Sequence, residues 1–254
     1  MKVIGADKPL RLTTHPDRDM YPAWSPDGRW IAFTRFNDGD GQVVYYAIPP
    51  TGGPEQKLAE TKATRVGGAL GRWMAMAWTP DSKGVVITEC ETGVLGSFLV
   101  LVSLESGQRT KLTNASGPIA GDSGPDISRD GSLLAFTRFR QYGASDIFLQ
   151  RLVDGFKPAG EPHRITSPPG QFQTPLFLPN GRELIYRASD SKNGSGLFRM
   201  PIRPPRFRWD FLKEARLRFL AMGRDWPSNI QELRLQKSHV SPWKTAREGR
   251  PYRS

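Results

Sequence analysis

The chain has 254 residues, including 26 glycines and 22 prolines, is 10% aromatic, and carries a formal net charge of +11. This length can bury a core, and the composition favours short strands joined by tight turns over long helices. A single cysteine, Cys90, and three scattered histidines exclude an internal disulfide framework and a cysteine-built metal site, and indicate no zinc cluster.

The N-terminal residues 1–14 lack the apolar core of a signal peptide, and no stretch reaches the roughly 18 apolar residues of a membrane span. We therefore predict a soluble, cytoplasmic protein, unless the sequence is part of a larger membrane-anchored one. The charge is uneven, because residues 203–254 contain 13 Lys and Arg against 5 Asp and Glu, whereas residues 1–202 contain 23 against 20.

Four segments repeat one pattern, a strand, a tight turn and a second strand. They are 22–34, 76–88, 125–137 and 175–187, and their turns carry Asp27-Gly28, Asp81, Asp130-Gly131 and Asn180-Gly181. Glycine permits the left-handed backbone of such a turn, and Asp or Asn accepts a hydrogen bond from the backbone N–H two residues on. Periodic recurrence therefore predicts that these acids shape turns and are not catalytic.

Apolar residues alternate after each turn, as in a half-buried strand. A third strand follows in every segment, and a fourth in the first three, at 55–58, 110–113 and 163–166. Four antiparallel strands per unit of about 50 residues are typical of a propeller blade. We place the repeats at 14–58, 67–113, 118–166 and 170–202. The residues that precede the turns are expected in the core: Trp24, Trp78, Ile127 and Phe177.

The run Trp24-Ser25-Pro26-Asp27-Gly28, followed by Ile31-Ala32-Phe33, resembles the TolB-type, WD-repeat-like β-propeller motif, and the likeness extends over residues 10–202. It implies an all-β fold of four-stranded blades. The runs 145–152 and 160–166 resemble a narrower group, the C-terminal propellers of bacterial CadC-like winged-helix regulators and of some bacterial serine/threonine kinases.

The predicted ring is short of blades. The resemblance implies six or more, whereas this sequence contains four, and the fourth lacks its outer strand. Residues Leu10–Thr13 resemble an outer strand without a blade of its own. This strand closes a small ring on blade four, or the chain is an arc of a larger ring, and we favour the arc. The open edge of blade four then offers a surface for self-association.

Residues 203–254 leave the repeat pattern, and we expect a basic tail that is partly helical or disordered. Its charge excess would give weak nucleic-acid binding, with Trp226 and Trp243 available to stack on bases. We expect the tail more strongly to shield the open edge of blade four.

Each candidate catalytic or metal-binding motif lacks other residues that its chemistry requires. Ser123 lies in a Gly-Asp-Ser-Gly-Pro run that resembles the nucleophile stretch of chymotrypsin-like proteases, but the His and Asp motifs are missing, so we predict a structural loop. The run at 37–41 begins like a calcium loop but lacks the later glutamate, which favours a solvated hairpin. Cys90 follows an apolar run without a nearby histidine, which indicates a packed thiol. Neither a nucleophile elbow nor a P-loop pattern occurs.

The sequence therefore predicts a non-enzymatic interaction or scaffold module that binds a protein and uses no cofactor or metal. Two alternatives remain open. One is the detached sensor region of a bacterial regulator or kinase, and the other is weak nucleic-acid binding through residues 203–254.

Overall fold

The computed structural model describes residues 9–202 apart from 38–40, 63–73, 91–95, 116–120, 142, 168–169 and 191–193. The predictions for the 203–254 tail, including Trp226 and Trp243, and for the centre of the 37–41 run lie outside these residues. The described part contains strands and no helix: β1 Arg18–Trp24, β2 Ile31–Phe36, β3 Gln42–Ile48, β4 Gln56–Lys62, β5 Ala77–Trp78, β6 Gly84–Cys90, β7 Ser97–Ser103, β8 Arg109–Lys111, β9 Gly121–Ile127, β10 Leu133–Gln141, β11 Ala144–Val153, β12 Lys157–Arg164, β13 Gln171–Phe177, β14 Glu183–Asp190 and β15 Gly194–Pro201.

The strands form four consecutive antiparallel blades. Blade one is β1–β4 and forms a sheet of its own. Blade two is β5–β8, blade three is β9–β12 and blade four is β13–β15, and single parallel bridges join these three into one 11-stranded sheet. Among the described residues β1 pairs only with β2, and β15 only with β14. The fold is an all-β, open β-propeller.

Each blade turn is held by its own Asp or Asn side chain. The oxygen accepts a hydrogen bond from the backbone N–H two residues on, at 3.0 Å for Asp27, 3.0 Å for Asp81, 3.1 Å for Asp130 and 2.9 Å for Asn180. The next residue is left-handed each time, with φ of 71° at Gly28, 60° at Ser82, 74° at Gly131 and 64° at Gly181. This is the turn chemistry that the repeated motif predicts.

In blades two, three and four the residue before the turn packs on the preceding blade. Trp78 is 7% exposed, and its indole Nε1 donates a hydrogen bond to Ala23 O of blade one at 3.0 Å. Ile127 is buried in a cluster with blade two, and Phe177 is half-buried against blade three. The expectation that Trp24 is buried is wrong, because this side chain is 53% exposed. Blade one has no preceding blade in the described chain, so nothing covers Trp24 as blade one covers Trp78.

The N-terminal segment differs from its prediction as well. Residues 9–17 form no strand, although Leu10–Thr13 was expected to be one. Leu12 packs against Ile31 and Phe33 on the face of blade one instead. This apolar contact holds Leu12 on the sheet.

In blades one and three an arginine of the second strand, Arg35 or Arg138, forms a largely buried ion pair. Arg138 donates two hydrogen bonds to the fully buried Asp122, at 2.7 and 2.8 Å, and its guanidinium lies 4.7 Å from the ring centre of Phe148. Arg35 makes the equivalent bidentate contact with Asp19 and also binds Glu55. In both blades the arginine ties the first strand to the second.

Candidate binding cavity

The inner strands of the four blades converge on one cavity of about 810 Å³. It is lined by residues of β1, β5, β9 and β13 and of the turns that follow them. Four of its residues occupy the same position in the four repeats, directly before Trp24, Trp78, Ile127 and Phe177. They are Ala23, Ala77, Asp126 and Leu176. The repeat therefore delivers one side chain per blade to a common space.

Three of the inner strands bend at a β-bulge beside this cavity. The register of the first two strands shifts in blades one, three and four. In each bulge a left-handed residue precedes a proline: Tyr21 at φ 53°, Gly124 at φ 58° and Thr174 at φ 52°. A non-glycine residue in this conformation costs about 1–3 kcal/mol. Tyr21 and Thr174 therefore store backbone strain at the edge of the cavity.

Asp126 is a carboxylate in an otherwise mainly apolar cavity. It is half-buried, and its Oδ2 accepts a hydrogen bond from Phe177 N of blade four at 2.6 Å. Burial raises the pKa of Asp126 from 3.8 to about 6, although the backbone N–H groups of Phe177 and Ile127 partly oppose the shift. No described lysine, arginine or histidine forms an ion pair with it. Asp126 is therefore charged at neutral pH without a compensating cation in the described chain.

Two further side chains shape the cavity around Asp126. Leu176, its equivalent in blade four, is 51% exposed and offers apolar surface. Arg129 is exposed at a turn position where the other repeats have proline. No histidine, cysteine or serine occurs among the described lining residues. The arrangement suits binding of a group that is both cationic and apolar.

The residues that the sequence singled out for chemistry lie elsewhere. Ser123 is part of strand β9, 3% exposed, with no hydrogen-bond partner for its Oγ among the described residues. The prediction that it lies in a loop is wrong, because the bulge of β9 lets the Gly-Asp-Ser-Gly-Pro run stay within the sheet. Cys90 is half-buried at the end of β6. No described group of three His, Cys, Asp or Glu side chains is placed to hold a metal ion.

Sequence reasoning missed Asp126. The available signal was its place in the repeat alignment, where blades one and two have alanine and blade four has leucine. A lone charge at an apolar repeat position is informative, because burying a carboxylate is costly and needs a reason.

Comparison with known proteins agrees with this architecture. Residues 20–203 match the family model described as TolB beta propeller domain. The "Uncharacterized peptidase YuxL" of Bacillus subtilis strain 168 is 28% identical over 181 residues, which cover 69% of this chain and 23% of that protein. The chain thus spans about a quarter of this curated relative.

Solved structures show the same fold at low identity. TolB from Acinetobacter baumannii matches with a TM-score of 0.60 at 18% identity, over 77% of this chain and 44% of that one. Prolyl oligopeptidase B from Galerina marginata matches with a TM-score of 0.50 at 16% identity, over 72% of this chain and 27% of that one. The narrower resemblance to CadC-like regulators and kinases stays a prediction. No helix in the described part of the chain is long and apolar enough to cross a membrane.

Proposed function

Since this chain belongs to the TolB beta propeller domain family, we propose that it is a non-enzymatic protein-binding module whose central cavity holds a lysine or arginine side chain of its partner. Asp126 carries the proposal, as a half-buried carboxylate in that cavity without an ion-pair partner among the described residues.

The electrostatic cost of Asp126 favours a cationic ligand. Removing a carboxylate from water disfavours its charged form, and burial is the largest cause of the raised pKa here. An ammonium or guanidinium group within hydrogen-bonding distance would stabilise the ionised form by a charge-assisted hydrogen bond. Binding would therefore remove a penalty that the unbound chain pays in its folded state.

The remaining lining supports a basic side chain over a small inorganic cation. The long aliphatic stem of lysine or arginine can pack on apolar surface while its charged end reaches a carboxylate. Leu176, which is 51% exposed and lines the same cavity as Asp126, provides such a surface. Arg129 opposes the ligand only weakly, because its exposed charge is screened by solvent.

An array of short peptides tests this proposal. Lysine- and arginine-containing peptides are compared with copies in which norleucine, uncharged and of similar length, replaces the basic residue. Asp126→Asn should weaken binding of the basic peptides by about tenfold or more, the usual range for a charge-assisted hydrogen bond. The affinity should also fall as the pH drops below about 6, because Asp126 becomes protonated.

The matched control is Asp154→Asn, which removes an exposed carboxylate on the β11–β12 turn and should leave binding unchanged. Equal binding of basic and norleucine peptides, or unchanged affinity in Asp126→Asn, would contradict the assignment of the cavity.

A second candidate is the propeller part of a peptidase, where the cavity would select substrates. The specific observation is the 28% identity to a Bacillus subtilis protein named as a peptidase. Purification of the endogenously tagged protein, followed by a fluorophosphonate probe, decides between the two. A labelled serine hydrolase in the same polypeptide or in a stoichiometric complex favours the peptidase, and its absence favours the simple binding module.

A further inference from the structure

In blades one, two and three a fourth strand covers the outer edge of the third strand. In blade four no described strand covers the equivalent edge of β15. The third strands of blades one to three pair with β4, β8 or β12, whereas β15 pairs only with β14 among the described residues. Leu197 of β15 is 79% exposed, but its equivalents Tyr45, Leu99 and Ile147 are each 0% exposed. The four are equivalent because each pairs with the same position of the second strand: Tyr45 with Thr34, Leu99 with Thr88, Ile147 with Thr137 and Leu197 with Arg187.

Blades two and three show what covers such an edge. Leu112 N donates to Leu99 O at 2.8 Å, and Thr113 Oγ1 accepts from Leu99 N at 3.0 Å. In blade three Ile165–Thr166 make the same two bonds with Ile147, at 2.9 and 3.1 Å. A basic residue precedes the pair each time. The run Lys/Arg-Leu/Ile-Thr therefore satisfies both backbone groups of the buried residue.

The same run occurs once more, as Arg11-Leu12-Thr13 in front of blade one. Leu12 packs on Ile31 and Phe33 of blade one. The equivalent residues of blade three are Leu134 and Phe136, and they pack with Leu112, which follows the outer strand of blade two. The Oγ1 of Thr13 makes no hydrogen bond to another described residue. Residues 11–13 thus lie on blade one as the end of an outer strand would. Thr13 Oγ1, the equivalent of the atoms that bind Leu99 and Ile147, has no partner among the described residues.

The edge of β15 presents the matching backbone groups. Ile202 N donates to Arg182 O at 2.8 Å, which fixes the alternation of inward and outward groups along the antiparallel pair. By that alternation the N–H and C=O of Leu197 point away from β14. These are the two groups that a Leu-Thr pair binds in blades two and three.

Blade one has all four of its strands, but no described blade covers its Trp24. Trp24 is 53% exposed, whereas Trp78 and Ile127, its equivalents, are buried against the blade before them. Among the described residues, therefore, no strand pairs with β15 on the side of Leu197 that faces away from β14, and no blade precedes Trp24.

We propose that the edge of β15 binds residues 11–13 of a second copy of this chain, so that blade one of that copy stacks on blade four of the first. Leu12 stays on its own blade one, and Leu12–Thr13 make with Leu197 of the other copy the two bonds seen at Leu99 and Ile147. Within one chain this pairing is not made, because Leu197 is 79% exposed and Thr13 Oγ1 makes no hydrogen bond to another described residue. The contact is head to tail, and two copies satisfy both ends when the ring closes.

Sedimentation velocity on the full chain tests the proposal across a wide range of concentration. We expect a dimer that dissociates on dilution, and Leu197→Asp should shift it to a monomer because a charge replaces the apolar contact. The side chain is 79% exposed, so the fold should tolerate the change. Val153→Asp, at another exposed apolar position of a third strand, is the matched control and should remain dimeric.

Cross-linking identifies the segment that binds the edge. In a Cys90→Ser background, a Thr13→Cys chain is mixed with a Leu197→Cys chain and treated with a short bismaleimide. We expect a cross-linked heterodimer in the mixture, lost when the first chain is replaced by Asp154→Cys, an exposed turn position. A monomer at every concentration, as when another part of the same chain covers β15, overturns the proposal. A dimer that survives Leu197→Asp, or a mixture without the cross-link, overturns it too.

Discussion

Asp126→Asn should stabilise the protein at neutral pH, although it removes a charge from the candidate site. In the folded chain burial raises the pKa of Asp126 from 3.8 to about 6. Well below pH 3.8 the side chain is neutral in both the folded and the unfolded state, so ionisation of Asp126 does not lower the free energy of unfolding there. Between about pH 4 and pH 6 the unfolded chain loses this proton more readily, so stability is lost as the pH rises.

The magnitude follows from the same values. A difference of about two pKa units corresponds to about 3 kcal/mol at most, since each unit is worth about 1.4 kcal/mol. Asparagine keeps an oxygen that can accept the hydrogen bond from Phe177 N, now at 2.6 Å from Oδ2, but carries no charge. We therefore expect the free energy of unfolding of Asp126→Asn to be about 1–3 kcal/mol higher than that of the wild type at pH 7.

Urea titrations at several pH values measure this effect through the free energy of unfolding. The quantity to compare is the difference between variant and wild type, because other titrating groups cancel in it. This difference should rise between about pH 4 and pH 6 and then stay level. Asp154→Asn, at an exposed carboxylate, should give a level difference throughout. A level or falling difference for Asp126→Asn would show that burial of this group does not control its ionisation.

Three further substitutions test the packing with the same titration. Trp78→Ala should cost about 3–5 kcal/mol because a buried aromatic is lost, whereas Trp24→Ala should cost less than about 1 kcal/mol; similar costs would refute the junction described for blades one and two. Arg138→Met should destabilise by about 3–5 kcal/mol because it leaves a fully buried carboxylate unpaired, and Arg199→Met, at an exposed ion pair, by less than about 1 kcal/mol. Ser123→Ala should be neutral or stabilising, since the buried Oγ has no described partner, and fluorophosphonate labelling lost in this variant would contradict the structural role.

Local chemistry made the blade turns predictable. Asp27, Asp81, Asp130 and Asn180 act within two residues of their own backbone, so a short motif contains every atom of the interaction. The alternating strand after each turn is equally local. This is why the sequence predicts the all-β fold and the four repeats, which the family match and the strand pairing support.

Burial at the ends of the repeat array depends on neighbours that a motif does not contain. Trp24 and Trp78 have the same sequence context, yet one is 53% and the other 7% exposed, because within the described chain only Trp78 has a blade before it. The strand predicted at Leu10–Thr13 fails for the same reason, since the third strand that it would pair with is not beside it. Asp126 was missed because its environment comes from blade four, about 50 residues away.

The two proposals can be separated because they use different parts of the repeat. The cavity is lined by the inner strands of all four blades of one chain, and the Asp126 contact joins blades three and four of that chain. The dimer contact uses the third strand of blade four and the segment before blade one. Leu197→Asp should therefore abolish the dimer but leave the affinity for basic peptides unchanged. Asp126→Asn should weaken the binding of basic peptides but leave the dimer intact. If Leu197→Asp also removes peptide binding, the cavity needs inner strands from both copies, and the binding site must be assigned to the assembled ring and not to the single chain.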